Sequence, residues 1–114
     1  MNPEARVVIA SKINLSIRTM RDVPDAVGAV YGADGLLLTE SELSPEFFDL
    51  RTGIAGELFQ KFTNYQIHLA LVINNLEVYG ERFGELAFEH KNHKLIRFFD
   101  SVETAKTWLL NQAT

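Results

Sequence analysis

The fold of this chain is decided by two apolar segments, Gly35–Thr39, which reads GLLLT, and Ile67–Ile73, which reads IHLALVI. Both are nearly continuous apolar blocks, a pattern typical of strands that are covered on both faces. We expect both segments to lie in the centre of a largely parallel sheet. The longest unbroken apolar run, Leu69–Ile73, has five residues, whereas a membrane-spanning helix needs roughly 18 or more. No membrane span is expected.

Three further strands are predicted around these two segments. Arg6–Ala10 carries a Val-Val-Ile run, Ile13–Arg18 alternates apolar and polar residues, and Leu95–Phe99 is rich in Ile and Phe. We expect the first two to be antiparallel neighbours at one edge of the sheet. The sequence therefore predicts a mixed, mainly parallel sheet of about five strands.

Segments of helical period separate the strands. Apolar residues recur three and four positions apart in Asp22–Tyr31, Gly53–Thr63, Leu76–Lys91 and a final helix that begins at the cap Ser101. Strands that alternate with helices indicate an α/β domain. The 114 residues are thus predicted to form a single α/β domain with about four main helices.

The connection formed by residues 40–52 is longer than the roughly 2–6 residues usual between a strand and a helix. Ser44-Pro45 within it is a helix-start signature, so a short helical turn should follow, with Phe47 and Phe48 at the end of the core. Long loops at strand ends often carry binding residues. Residues 40–52 are therefore the first place to look for a site.

The helix start at Thr52-Gly53 is the best candidate site in this connection. A helix amino terminus presents free N–H donors and about half a positive charge, and Arg51 adds a full charge beside it. This suits an anion or a phosphorylated hydroxyl. The alternative is that Thr52 is only a helix cap and that Asp49 caps the preceding turn.

Asn74 and Asn75 follow the central strand Ile67–Ile73, and Tyr79 comes one turn later. Loops after parallel strands share one edge of the sheet, so these three residues should lie near residues 40–52. Polar side chains without a clear nucleophile and base fit recognition better than catalysis.

Two other patterns carry a functional and a structural interpretation. His90 and His93 could chelate a divalent ion, but basic residues at a helix carboxyl end also complement its dipole, and His68 stands alone in a strand. We expect no metal and no cofactor. Acidic residues recur every four positions at Glu77, Glu81, Glu85 and Glu89. This pattern is typical of a solvated helix face, and it could also form a docking surface for a basic partner.

Composition excludes several classes of protein. The chain has no cysteine, which excludes disulfides and thiol chemistry, and it lacks the nucleotide-binding, zinc-protease and serine-hydrolase motifs. Acidic residues outnumber basic ones by 15 to 11, for a net charge of −4, so nucleic acid is not an expected partner. The opening residues Met1–Glu4 carry no export signal, and a cytoplasmic location is the expectation.

The order of elements, the block Asp49–Glu57 and the ending Arg97–Leu109 resemble STAS-like domains, the fold of sulfate-transporter domains and anti-sigma-factor antagonists. The stretch Ser44–Phe62 is similar to an uncharacterised bacterial family, domain of unknown function 4180. The first resemblance implies a phosphorylatable hydroxyl before the glycine that opens the helix, a place taken by Thr52. Two residues separate Thr52 from Asp49, one more than in that motif.

Three hypotheses about function stay open. The favoured one is a small non-enzymatic regulatory or protein-interaction domain that uses residues 40–53. The second is a binder of, or enzyme acting on, a small anionic metabolite in the crevice at the carboxyl edge of the sheet. The third is a structural unit that forms a homodimer through an edge strand.

Overall fold

A computed structural model describes residues 6–112, and the strands in this range form one parallel sheet. Neighbouring strands in the sheet are also neighbours in sequence: β1 (Val7–Ile9), β2 (Gly35–Thr39), β3 (His68–Val72) and β4 (Ile96–Phe99). The central position of β2 and β3 is confirmed. Residues 1–5, which include the opening used to infer a cytoplasmic location, lie outside the described residues.

Five α-helices occur within residues 6–112: α1 (Asp22–Val30), α2 (Pro45–Phe48), α3 (Ile54–Asn64), α4 (Glu81–Glu89) and α5 (Val102–Gln112). Connections between parallel strands are right-handed, so strands laid down in sequence order place all their connecting helices on one face. The larger core accordingly contains buried residues from α1 to α4. The smaller core, on the other face, joins the sheet to α5.

Alternate residues of β2 enter the two cores. Leu36 and Leu38 belong to the larger core, and Leu37 belongs to the smaller one beneath α5. All three are fully buried. Burial on both faces is the physical reason why this strand is a continuous apolar run.

The prediction of an antiparallel edge strand at Ile13–Arg18 is wrong. A 3₁₀ turn (Ala10–Ile13) follows β1, and Asn14 then adopts a left-handed conformation with φ 55° that redirects the chain. Ile17 pairs in a single parallel bridge with Leu43, and β1 itself pairs parallel with β2. The sheet in the described residues therefore has four parallel strands instead of about five mixed ones.

The predicted helix Leu76–Lys91 is divided in two. A 3₁₀ helix (Leu76–Tyr79) comes first, and Gly80 separates it from α4. Gly80 has φ 92°, in a region that side chains disfavour, so the chain bends sharply there.

Residues 40–52 consist of short helices instead of an irregular loop. The 3₁₀ helix Glu40–Glu42, α2 and the 3₁₀ helix Leu50–Thr52 follow one another. Phe47 is fully buried and Phe48 nearly so, and both belong to the larger core. Within residues 6–112, no helix has the length and apolar character needed to cross a bilayer.

Candidate binding cleft at the carboxyl edge of the sheet

Glu40 ties together the chain segments that leave β2 and β3. It follows β2 directly, and one of its carboxylate oxygens accepts the backbone N–H of Asn74 at 2.8 Å. The other oxygen accepts the hydroxyl of Tyr79. Asn74 and Tyr79 therefore lie beside the 40–52 connection, where their position after a parallel strand places them.

Tyr79 is held by a ring as well as by a carboxylate. Its ring stacks on Phe48 with 3.6 Å between centroids and 8° between planes. Burial, followed by the hydrogen bond to Glu40 and the charge of that carboxylate, raises the pKa of Tyr79 to about 12. The phenol is thus neutral over the physiological range and acts as a fixed donor to Glu40.

The connection that carries Phe48 is held in place by buried polar groups. Glu42 is 7% exposed, and its carboxylate accepts both the backbone N–H and the hydroxyl of Thr39 in a capping box. The Ser44 hydroxyl donates to the carbonyl of Arg18 at 2.8 Å and accepts the N–H of Phe47. Because these buried groups all have hydrogen-bond partners, the position of α2 is well defined.

Asp49 and Arg51 form a two-pronged ion pair at the surface. Arg51 Nε lies 3.0 Å from Asp49 Oδ1, and Nη2 lies 2.9 Å from Oδ2. The Arg51 side-chain hydrogen bonds, followed by its backbone N–H, lower the pKa of Asp49. Both groups are in water, where such a pair adds little stability. In this structure the Arg51 guanidinium points toward Asp49.

A cleft of about 1200 Å³ lies between residues 43–51 and residues 79–83. Its apolar lining comes from Leu43, Pro45, Phe48, Leu50, Tyr79 and Phe83, and its charged lining from Asp49, Arg51, Glu81 and Arg82. In the described part of the chain, neither Glu81 nor Arg82 forms an ion pair. The lining has no serine, cysteine or histidine.

Thr52 and Gly53 stand outside the lining of this cleft. The Thr52 hydroxyl lies 2.7 Å from the carbonyl of Glu46 and 2.8 Å from that of Asp49, and it accepts the N–H of Ile54 at 3.4 Å. Gly53 has φ 79° and turns the chain into α3. The cap position of α3 is Gly53, so Thr52 is not the helix cap, and its hydroxyl instead ties the 3₁₀ helix Leu50–Thr52 to the turn before it.

The structure thus brings together only part of the predicted site. Asp49, Arg51 and Tyr79 line the cleft. Asn74 contributes its backbone N–H to Glu40, and the Asn75 side chain caps the 3₁₀ helix Leu76–Tyr79 by accepting the N–H of Glu77. A role in binding for these residues stays a prediction.

The three histidines use their Nδ1 atoms in hydrogen bonds to the backbone. His90 Nδ1 lies 2.8 Å from the carbonyl of Leu86, and His68 Nδ1 lies 3.3 Å from that of Asp34. His93 Nδ1 instead accepts the backbone N–H of Leu95 and of Ile96. No group of three or more side chains suited to a metal ion occurs in residues 6–112.

The acidic series is exposed but does not lie on one continuous helix. Glu77 belongs to the 3₁₀ helix before Gly80, whereas Glu81, Glu85 and Glu89 belong to α4. Phe88 stands beside them with 73% of its surface exposed, and Lys91 Nζ lies 5.7 Å from its ring centre. A docking role for this face stays a prediction.

Sequence reasoning missed Glu40, Glu42 and Arg82. Glu42 carried a recognisable signal, because Thr39 and Glu42 have the spacing of a capping box. Glu40 had a weaker one, its place directly after a central strand. Arg82 had none, since its position in the cleft depends on the bend at Gly80.

Comparison with family models gave one match, over residues 2–109, to a model described as Domain of unknown function (DUF4180). Comparisons with curated proteins and with solved structures gave no match.

Proposed function

The chain belongs to the family Domain of unknown function (DUF4180), and from this premise we propose that it is a non-enzymatic protein-interaction domain. Its cleft between residues 43–51 and 79–83 would hold a short segment of a partner protein. The observation that carries the proposal is the stack of Phe48 on Tyr79, which joins two separate connections into one preformed apolar surface.

The chemistry of the cleft supports a peptide segment with an apolar anchor and charged neighbours. Aromatic and aliphatic side chains of the lining can enclose one apolar side chain, and such central contacts dominate binding at protein interfaces. Arg51 and Arg82 stand on opposite sides, with Asp49 and Glu81 beside them. Charges of both signs at a rim select the partner and its orientation.

The alternative of a small anionic metabolite at this edge has less support. Asp49 and Glu81 balance the charges of Arg51 and Arg82 in the lining, and Glu40 already takes up the Asn74 N–H and the Tyr79 hydroxyl. An anion would meet like charges and would find these donors occupied. A partner segment needs neither donor.

A regulatory role is a finer proposal that rests on the resemblance to anti-sigma-factor antagonists. Modification of the Thr52 hydroxyl would remove the donor that lies near the carbonyls of Glu46 and Asp49. The short helix before α3 would then change position and reshape one wall of the cleft. In this proposal, Thr52→Glu alters partner binding.

The test is selection of random peptides on the immobilised protein, followed by measurement of affinity for variants. We expect the selected peptides to share an apolar anchor and to lose roughly five- to tenfold in affinity on Arg51→Ala and Arg82→Ala. Arg21→Ala, at an exposed arginine outside the cleft, is the matched control and should bind normally.

Amide shifts in NMR spectra show where the selected peptides bind. The proposal requires changes concentrated in residues 43–51 and 79–83. Peptides that shift another surface, or that bind all three arginine variants equally, would contradict it.

A further inference from the structure

A second cleft lies at the opposite, amino edge of the sheet, where β3 and β4 begin. It has a volume of about 740 Å³. Four basic side chains, those of His68, His93, Lys94 and Arg97, line it together with several side-chain amides, and none of its lining residues is acidic. In a chain of net charge −4, Lys94 and Arg97 give this cleft a local positive charge, and the amides add hydrogen-bond donors.

Arg97 is held in place before any ligand arrives. Its Nε donates to the carbonyl of His93 at 2.8 Å, and its guanidinium carbon lies 5.3 Å from the ring centre of Trp108 on α5. Neither Nη group of Arg97 takes part in the hydrogen bond that Nε donates. A planar donor group fixed in this way suits an oxyanion that accepts two parallel hydrogen bonds.

His93 has a defined proton position. Its Nδ1 accepts the N–H groups of Leu95 and Ile96 at 3.0 and 3.1 Å, so the neutral ring carries its proton on Nε2. Burial, followed by the charges of His90 and Arg97, lowers the pKa of His93. The ring is therefore a hydrogen-bond donor at neutral pH without being charged.

His68 is oriented by a separate segment. Its Nδ1 lies 3.3 Å from the carbonyl of Asp34, an acceptor, so Nδ1 carries the proton in this hydrogen bond. The Asp34 carboxylate is engaged elsewhere, since it accepts the backbone N–H of Arg6 at 2.7 Å. Within residues 6–112, neither Lys94 nor Arg97 forms an ion pair with an acidic side chain.

We propose that this second cleft binds the phosphate group of a small phosphate monoester. Lys94 and Arg97 supply two positive charges that match a dianion, and a phosphate has more acceptor oxygens than a carboxylate to engage the surrounding donors. The volume leaves room for the organic part of the ester. This inference is independent of the peptide cleft, which lies at the other edge of the sheet.

The experiment is a titration of the whole protein with inorganic phosphate and with phenyl phosphate, followed by amide shifts in NMR spectra at constant ionic strength. Residues 66–68 and 92–97 should show saturable shifts, with phenyl phosphate binding at least as tightly as phosphate. Lys94→Gln and Arg97→Lys should each weaken binding about tenfold.

Lys91→Gln is the matched control, because it removes the same charge from an exposed lysine that does not line this cleft. It should change the affinity by less than about twofold, since salt screens distant surface charges. Lys94 is also exposed, so its variant keeps the test valid if Arg97→Lys lowers the melting temperature.

Three results would overturn the proposal: no saturable shift with either phosphate compound, equal weakening by Lys91→Gln and Lys94→Gln, or citrate binding as tightly as phosphate. Loss of peptide binding by the Arg51 and Arg82 variants leaves this outcome untouched, so the two proposals succeed or fail separately.

Discussion

Thr52 joins two helical segments through one hydroxyl group. That group lies within hydrogen-bond distance of the Glu46 and Asp49 carbonyls and accepts the N–H that opens α3. We expect Thr52→Ala to lower the free energy of unfolding by about 1 kcal/mol, the usual net contribution of a hydrogen bond. Thr52→Ser keeps the hydroxyl and should retain most of the stability. Equal denaturant midpoints for the alanine variant and the native protein would contradict this role.

Tyr79 should ionise late. Because its pKa in the folded protein is about 12, against 10.0 for a free tyrosine, folding disfavours its ionised form. The stability that follows is present below about pH 10 and is lost as the pH rises through about 12. An ultraviolet titration of the native protein minus that of Tyr79→Phe should show one phenol ionising near the upper value. A difference curve centred near pH 10 would show that Glu40 and burial do not act on it.

Asp22 should give the protein part of its sensitivity to acid. The backbone N–H groups of Arg18 and Thr19, in that order, lower the pKa of the Asp22 carboxyl. Its stabilisation is therefore present above about pH 4 and is lost as the pH falls through the lowered pKa. Asp22→Asn should reduce the free energy of unfolding by about 1 kcal/mol at neutral pH and flatten its decline in acid. Asp25→Asn, which alters an exposed acid in the same helical turn, is the control and should leave the free energy of unfolding at neutral pH nearly unchanged.

The docking of α5 on β2 depends on the missing side chain of Gly35. A β-carbon at this position would lie 2.6 Å from Leu109 Cδ2 and 3.2 Å from the His68 carbonyl oxygen. Leu109 is fully buried, so it has little room to move. We expect Gly35→Ala to destabilise the protein by about 1–3 kcal/mol.

A double-mutant cycle separates this clash from an effect on the strand itself. Leu109→Ala alone should destabilise by about 2–5 kcal/mol. Combined with Gly35→Ala it should cost less than the sum of the two, because the smaller side chain relieves the overlap. Additive effects in chemical denaturation would place the cost of Gly35→Ala elsewhere.

The elements that were predicted well are those whose pattern has one explanation. A continuous apolar run such as Leu36–Leu38 requires burial on both faces, and β2 has the predicted bounds. The alternation in Ile13–Arg18 was misleading, because this segment crosses the edge of the core and buries only one of its three apolar residues. Ile17 is buried there and Ile13 is exposed. The break at Gly80 was hidden because apolar spacing continues across it.

At the scale of the whole molecule, the two faces of the sheet are covered unevenly. The connecting helices lie on one face and α5 lies on the other. The second core, around Leu37, Ala70 and Val72, is closed by Ala105 and Leu109 of α5. A chain ending at Ser101 would expose this apolar face to water. We expect it to lose cooperative thermal unfolding and to self-associate in light scattering. A monomeric truncated chain with the native melting temperature would show that the first core is sufficient. Whether the full chain forms a homodimer stays a prediction.

Only part of the candidate sites was accessible from sequence. Residues 40–52 and Tyr79 could be placed at one edge because parallel strands share their carboxyl ends. The stacking of Tyr79 on Phe48 and its hydrogen bond to Glu40 could not be predicted, because they depend on the path of each connection through space. The basic cleft was hidden for the same reason, since Lys94 and Arg97 meet His68 only through the register of β3 and β4.

By itself the sequence determined that this is an α/β protein with β2 and β3 at its centre, because a strand that is buried on both faces needs a continuous apolar run. The similarity of residues 44–62 to the family was also recognisable from the sequence. The tertiary structure decided the strand order, the side on which α5 lies and the meeting of side chains in both clefts. These depend on strand register and on the left-handed turns at Asn14 and Gly80, which bring together residues far apart along the chain.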